Sequence, residues 1–144
     1  MSKSIKFKNN TYLDSNGVVF EKEPLSRIFT FSTKEQIVGK WINGKTLYRK
    51  VISTNEPVIG GTNLPIKHNV SNWDRMWVDL ANSYYYEENR KRSLPLEQTY
   101  YTTTDSVDKA HIYIEGDYVY LVSYGGWGEH WEKVITLLYT KTTE

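Results

Sequence analysis

The densest group of chemically capable side chains in this sequence is Gly125-Gly126-Trp127-Gly128-Glu129-His130-Trp131, with Glu132 directly behind it. Indole rings stack on the apolar C–H faces of sugars, and carboxylate and imidazole groups take hydroxyls. Trp127, Glu129 and His130, with Tyr124 beside them, are therefore read as an exposed platform for a carbohydrate. The alternative is structural: Trp131 opens a strand and enters the core, while Trp127 folds back over the end of the domain. Glu129 and Glu132 could also form a glycosidase pair, but carboxylates three apart in a loop are common by chance, and nothing else marks a cleft. His68, His111 and His130 form no HxH, HxxxH or HExxH pair, and the chain has no cysteine and no Gly-x-Ser-x-Gly elbow. No catalytic residue, no metal site and no cofactor is expected.

The remaining glycine-rich stretches read as turns. Asp14-Ser15-Asn16-Gly17 begins like a calcium loop but lacks the later ligands and the distal Glu. Gly60-Gly61 and Gly125-Gly126 have neither the Gly-Lys-Ser/Thr ending nor the G-x-G-x-x-G spacing of a phosphate-binding loop. With 18 Lys+Arg against 17 Asp+Glu, the net charge of +1 supplies no field for nucleic acid or for a membrane surface. No run approaches the roughly eighteen apolar residues a membrane span needs, and MSKSIKFKNN has no apolar export segment, so synthesis in a cytoplasm without membrane insertion is expected.

These side chains need a scaffold, and composition points to sheet. Ala81 and Ala110 are the only alanines beside 12 tyrosines, a balance that favours strands over helices. The expected fold is all-β: an antiparallel β-sandwich over residues 32–144, preceded by an extended N-terminal anchoring segment, residues 1–31, with a small hairpin. That hairpin would join Thr11-Tyr12-Leu13 to Val18-Val19-Phe20. Pro24 would be its exit, and Phe7, Tyr12, Leu13, Val18, Val19 and Phe20 would be its docking residues.

In the sandwich, Val38–Ile42 and Thr46–Ile52 flank Asn43-Gly44, the signal for a two-residue type I′ turn. A loop follows, then Ile66–Val70. Trp73, Met76, Trp77 and Leu80 fall at helical spacing, whereas Tyr84-Tyr85-Tyr86 favours strand. The compromise is a helical turn capped by Asn72, then a strand from about Trp77 to Tyr86 broken near Asn82-Ser83. Glu87 to Arg92 reads as a solvated loop. Ala110–Glu115 and Tyr118–Tyr124 are joined by Gly116-Asp117, and Trp131–Tyr139 is the last strand. In Tyr118–Tyr124, Val119 and Leu121 face one way and Tyr118, Tyr120, Val122 and Tyr124 the other. Together with Tyr84 to Tyr86, this is more amphipathic aromatic surface than one small core needs, which points to a homo-oligomer, most simply a homotrimer.

Residues Gln36 to Ile52, reading QIVGKWINGKTLYRKVI, resemble a module of virion proteins from tailed bacteriophages and prophages of low-GC Gram-positive bacteria, where the motif reads x-V-G-x-W-I-D/N-G-K-P-I-Y-R-K. Thr46 replaces the usual proline. The resemblance continues at His68 to Asn72, at Leu94-Pro95 and at the ending Leu137 to Glu144, and so covers about residues 33 to 144. The peptide Ile5 to Val19 looks like the attachment segment at the front of tail-fibre, baseplate and head-fibre proteins. The resemblance implies a β-sandwich serving as a structural module of a virion appendage, often trimeric, without catalytic residues. The sequence departs from its relatives in the loop from Trp127 to Trp131, where they have a short turn.

The leading expectation is a non-enzymatic virion structural protein, a fibre or baseplate component located in the virion. It would dock on other virion proteins by its N-terminal segment and project the sandwich toward the host surface, where the platform of Tyr124, Trp127, Glu129 and His130 would meet a host cell-wall carbohydrate. The alternative is a carbohydrate-binding module without a virion role, which would not need the N-terminal hairpin. A wall-depolymerising glycosidase is the third, and least supported, reading.

Overall fold

The computed structural model describes residues 5–6, 11–13, 19–21, 30–59, 62–101, 107–124 and 130–143. The chain forms two compact units, residues 1–30 and 31–144. In the first, β1 (Ile5–Lys6), β2 (Thr11–Leu13) and β3 (Val19–Glu21) make a small antiparallel sheet in that order, with Leu13 opposite Val19 and Tyr12 opposite Phe20. The expected pairing is thus present, while its turn, Val18 and Phe7 lie outside the described residues.

The second unit is a sandwich of two antiparallel sheets. Its strands are β4 (Gln36–Lys40), β5 (Thr46–Thr54), β6 (Thr62–Lys67), β7 (Trp73–Val78), β8 (Tyr84–Glu87), β9 (Arg92–Pro95), β10 (Gln98–Tyr101), β11 (Val107–Glu115), β12 (Tyr118–Tyr124) and β13 (Glu132–Lys141). One sheet runs β10-β11-β12-β6. The other runs β4-β5-β13-β8-β9, with β7 also paired to β13. Ile66, Ala110, Ile112, Val119 and Leu121 from the first sheet meet Tyr85, Ile135, Leu137 and Tyr139 from the second, and Val58, Val70 and Leu96 close the core from connecting segments. Period-two alternation sends Val119 and Leu121 inward on β12, as the sequence predicts.

Two local expectations are corrected. There is no helical turn at Asn72: its φ is +55°, and β7 begins at Trp73. Along β13, Thr140 faces Arg75 and Lys141 faces Trp73, so Asp74 is an inserted bulge residue. The bulge stretches the inward spacing from two to three at Trp73 and Met76, and then Val78 follows at two. A strand with one bulge thereby imitates the i, i+3 step of a helix. Trp77 faces away from that core and packs on Trp41, with ring centroids 4.6 Å apart.

β7 and β8 lie end to end along β13, separated by a 3-10 turn at Leu80–Asn82. The ladder is stitched across this gap by polar bonds. Asp79 N–H donates to Thr136 O at 2.8 Å, and Thr136 N–H donates to Ser83 Oγ at 2.8 Å. Ser83 Oγ donates in turn to Asp79 O at 2.7 Å, and Thr136 Oγ1 to Asn82 O at 2.6 Å.

The hairpin at Asn43-Gly44 is present, but its turn is one residue longer than the two-residue form. Trp41 N–H bonds Lys45 O and Gly44 N–H bonds Trp41 O, each at 2.8 Å, and among turn residues only Gly44 has positive φ, +83°. This is a type I turn closed by a glycine bulge. Asn43 Oδ1 accepts from Lys45 N–H at 3.1 Å, which favours the ordinary right-handed conformation at Asn43. Nothing lies within 4 Å of where a Cβ on Gly44 would sit, so substitution there costs conformation rather than space. Gly44→Val is expected to lower unfolding free energy by about 1–2 kcal/mol, and Gly44→Asn by less, in denaturant titrations.

One end of the core is held by an ionic group. Tyr139 OH donates to Glu35 Oε2 at 2.7 Å, and Lys141 Nζ lies 2.8 Å from each Glu35 oxygen. Burial pushes the Glu35 carboxyl up, but the bonds from Lys141 and Tyr139 outweigh it and hold the group below its ordinary 4.5. A carboxyl lowered in the folded state contributes stability above its ordinary value and loses it as pH falls through the lowered one. Denaturant midpoints measured from pH 6 downward should therefore fall below about pH 4.5, and Glu35→Gln should remove that part of the decline.

Candidate functional site

The cleft with the largest share of the sequence-predicted chemistry lies where β8 meets the start of β13. Register sets it: Glu132 stands opposite Tyr86 and Lys133 opposite Tyr85. Beyond Tyr86 the chain turns through Glu88–Arg90 and returns as β9, with Lys91 in the left-handed conformation at φ +48°. Glu88 to Lys91 are exposed, as the solvated loop expected from the charges requires, while Glu87 and Arg92 end the flanking strands. Glu87 pairs with Arg92 and, at 3.5 Å, with Arg90.

The resulting hollow has a volume of about 730 Å³ and is lined by Asn55, Tyr86, Glu87, Glu88, Asn89, His130, Trp131 and Glu132. This is within the usual size range for small-ligand sites. Trp131 stands one residue before β13 rather than opening it. It packs against the core, meeting Tyr85 edge-on at a centroid distance of 6.3 Å, and it also walls the cleft. The Arg92 guanidinium lies 5.5 Å from its ring centroid, joining the Glu87 ion pair to the indole. Glu132 Oε1 accepts from Ser53 Oγ at 2.7 Å, which fixes the carboxylate at the rim.

Of the four predicted contact residues, His130 lines this cleft, while Trp127 and Glu129 lie outside the described residues. Tyr124 is not one of its walls. Its ring meets His111 edge-on at 5.7 Å, next to the outer face of the four-stranded sheet. Tyr86, Glu87, Glu88, Asn89 and Asn55 were not singled out as contacts by sequence. The strand signal at Tyr84-Tyr85-Tyr86 identified the element, but only the pairing of β8 with β13 brings Tyr86 to Glu132.

A second aromatic surface covers the outer face of the four-stranded sheet. Tyr113 and Tyr120, cross-strand partners, stack at 5.0 Å, and Tyr118 lies 6.1 Å from Tyr120. Tyr113, Tyr118 and Tyr124 remain 40%, 38% and 46% exposed. Tyr85, in contrast, is fully buried, and burial pushes its hydroxyl up to about 12. It belongs to the core rather than to a contact surface.

His68 is structural. Its Nδ1 accepts from Val70 N–H at 3.1 Å, so Nε2 carries the proton and donates to Gly116 O at 3.0 Å. It sits beside a smaller hollow of about 370 Å³ with Lys67, Asn69, Val70, Ser71 and Asp117. Among the described residues no group of three His, Cys, Asp or Glu side chains is placed to hold a metal ion. Comparison with family models, with curated proteins and with solved structures finds no match.

Proposed function

We propose that this chain is a non-enzymatic structural protein of a tailed-phage virion, a fibre or baseplate component that contacts the host surface through a saccharide-binding cleft at one end of its sandwich. The virion role rests on the resemblance running through residues 33–144 and on the short-stranded N-terminal unit, which suits attachment to other virion proteins. The observation that carries the contact role is the cleft itself, where Trp131 and Tyr86 supply ring surface and Asn55, Asn89, Glu88 and Glu132 supply hydroxyl-binding groups. Its carboxylates are positioned by recognition-type contacts, Glu132 by Ser53 and Glu87 by two arginines. In this reading three copies associate through the outer tyrosine face, and weak binding at each cleft is multiplied by avidity.

Filling the cleft tests the contact role without touching the core. Asn89 is exposed on the turn after β8, so Asn89→Trp should leave the unfolding midpoint unchanged. Adsorption of the labelled protein to isolated host cell walls should drop at least about tenfold, a loss of about 1.4 kcal/mol. Full adsorption by this variant would move the host contact away from the cleft.

A further inference from the structure

We infer that the cleft between β8 and the start of β13 selects a saccharide bearing free ammonium groups, an amino sugar without its N-acetyl cap. The inference rests on the saccharide-contact reading and names the ligand class for that site.

Three features of the cleft agree on it. The first is shape: a concavity of about 730 Å³ with two aromatic side chains, Trp131 and Tyr86, is large enough for a sugar ring, and with Arg92 already against the Trp131 ring it is the Tyr86 ring that offers a π-face to a cation. The second is the balance of charge. Glu87 is matched by Arg90 and Arg92, but among the described residues neither Glu88 nor Glu132 forms an ion pair. Lys133 adjoins Glu132 in sequence but alternates to the opposite face of the sheet and is fully buried.

The third is the field at Tyr86. Burial raises its hydroxyl's pKa, and the added influences, from Glu88, Glu132 and Tyr84, all act in the same upward direction. The Glu88 and Glu132 carboxylates thus act on that hydroxyl as negative charges. An incoming ammonium would neutralise these carboxylates, whereas an acetamide N–H could bond to one without neutralising it and a phosphate would be repelled. A bare divalent ion is a poorer fit, because the described carboxylates do not converge into a metal-holding group.

The test uses the full-length protein and two probes, glucosamine oligomers and N-acetylglucosamine oligomers of the same length, titrated at low and high salt. At low salt the glucosamine oligomer should bind at least about tenfold more tightly, and the gap should close as ionic strength approaches about 1 M. Glu88→Gln and Glu132→Gln preserve acceptor oxygens for Tyr86 and Ser53 while removing charge. Each should reduce the preference several-fold, and Asn89→Trp should abolish binding of both oligomers.

Equal affinity for the two oligomers, or an unchanged preference in the Glu88→Gln/Glu132→Gln double variant, would overturn the inference while leaving a neutral-saccharide contact in place. Amine binding that survives Asn89→Trp would overturn it by placing the cation site elsewhere. If neither oligomer binds, the inference fails, and wall adsorption by the same protein then decides whether the broader contact reading fails with it.

Discussion

Deleting residues 1–30 should leave a folded sandwich that no longer enters particles. Among the described residues, the buried hydrophobic cluster runs from Val58 to Tyr139, all within the second unit. The division into residues 1–30 and 31–144 places the cut between two compact units. The N-terminal strands are two, three and three residues long. Sheets this small are marginal in water without a surface to pack on. In the proposed function that surface belongs to other virion proteins, with Tyr12, Leu13, Val19 and Phe20 on the paired strands as docking residues. The expected result is a denaturant midpoint close to that of the full chain together with loss of incorporation. Incorporation at an unchanged copy number would show that the sandwich, not the N-terminal unit, attaches the protein.

The largest single-residue loss of stability is expected at Leu137. It is fully buried at the centre of β13, which pairs with β5 on one edge and with β7 and β8 on the other. Leu137→Ala removes core volume where β5 and β7 flank β13 on either side, and the surrounding main chain cannot readily collapse into the gap. A cost of about 3 kcal/mol follows, against a total of roughly 5–15 kcal/mol for a domain of this kind. Leu138 is its neighbour in sequence but points to the opposite face, where it is only partly buried. Leu138→Ala should cost about 1 kcal/mol. Urea titrations of the two variants read the alternation directly, since a register shifted by one residue would reverse their order.

How much of this was legible in the sequence depended on the range of the interactions. Alternation in Tyr118–Tyr124 and the turn at Gly116-Asp117 are local, and the strand order β11-β12 followed from them. The Asn43-Gly44 hairpin was equally visible, but its turn type was decided by the Asn43 side chain bonding to Lys45 N–H, which favours one conformation over another at little cost. The bulge at Asp74 was hidden, because inserting one residue changes the spacing of inward side chains from two to three, which is also a helical step. The site was legible in part. Glycines and aromatic residues marked His130 and Trp131, but Tyr86, Glu88 and Asn55 reach them through the pairing of β8 with β13 and the approach of β5 to β13. Those pairings join segments tens of residues apart, and no local pattern encodes them. The tyrosines divide for the same reason: Tyr85 enters the core, Tyr86 faces the cleft and Tyr84 stays exposed, as period two requires once β8 is placed against β13.

Quantitative mass spectrometry of purified phage particles tests the central claim most directly. The account predicts this chain in the particles at a fixed copy number that is a multiple of three, lost when residues 1–30 are removed. Its absence from particles, with the protein found free instead, would contradict the virion role and favour a carbohydrate-binding module that acts on its own.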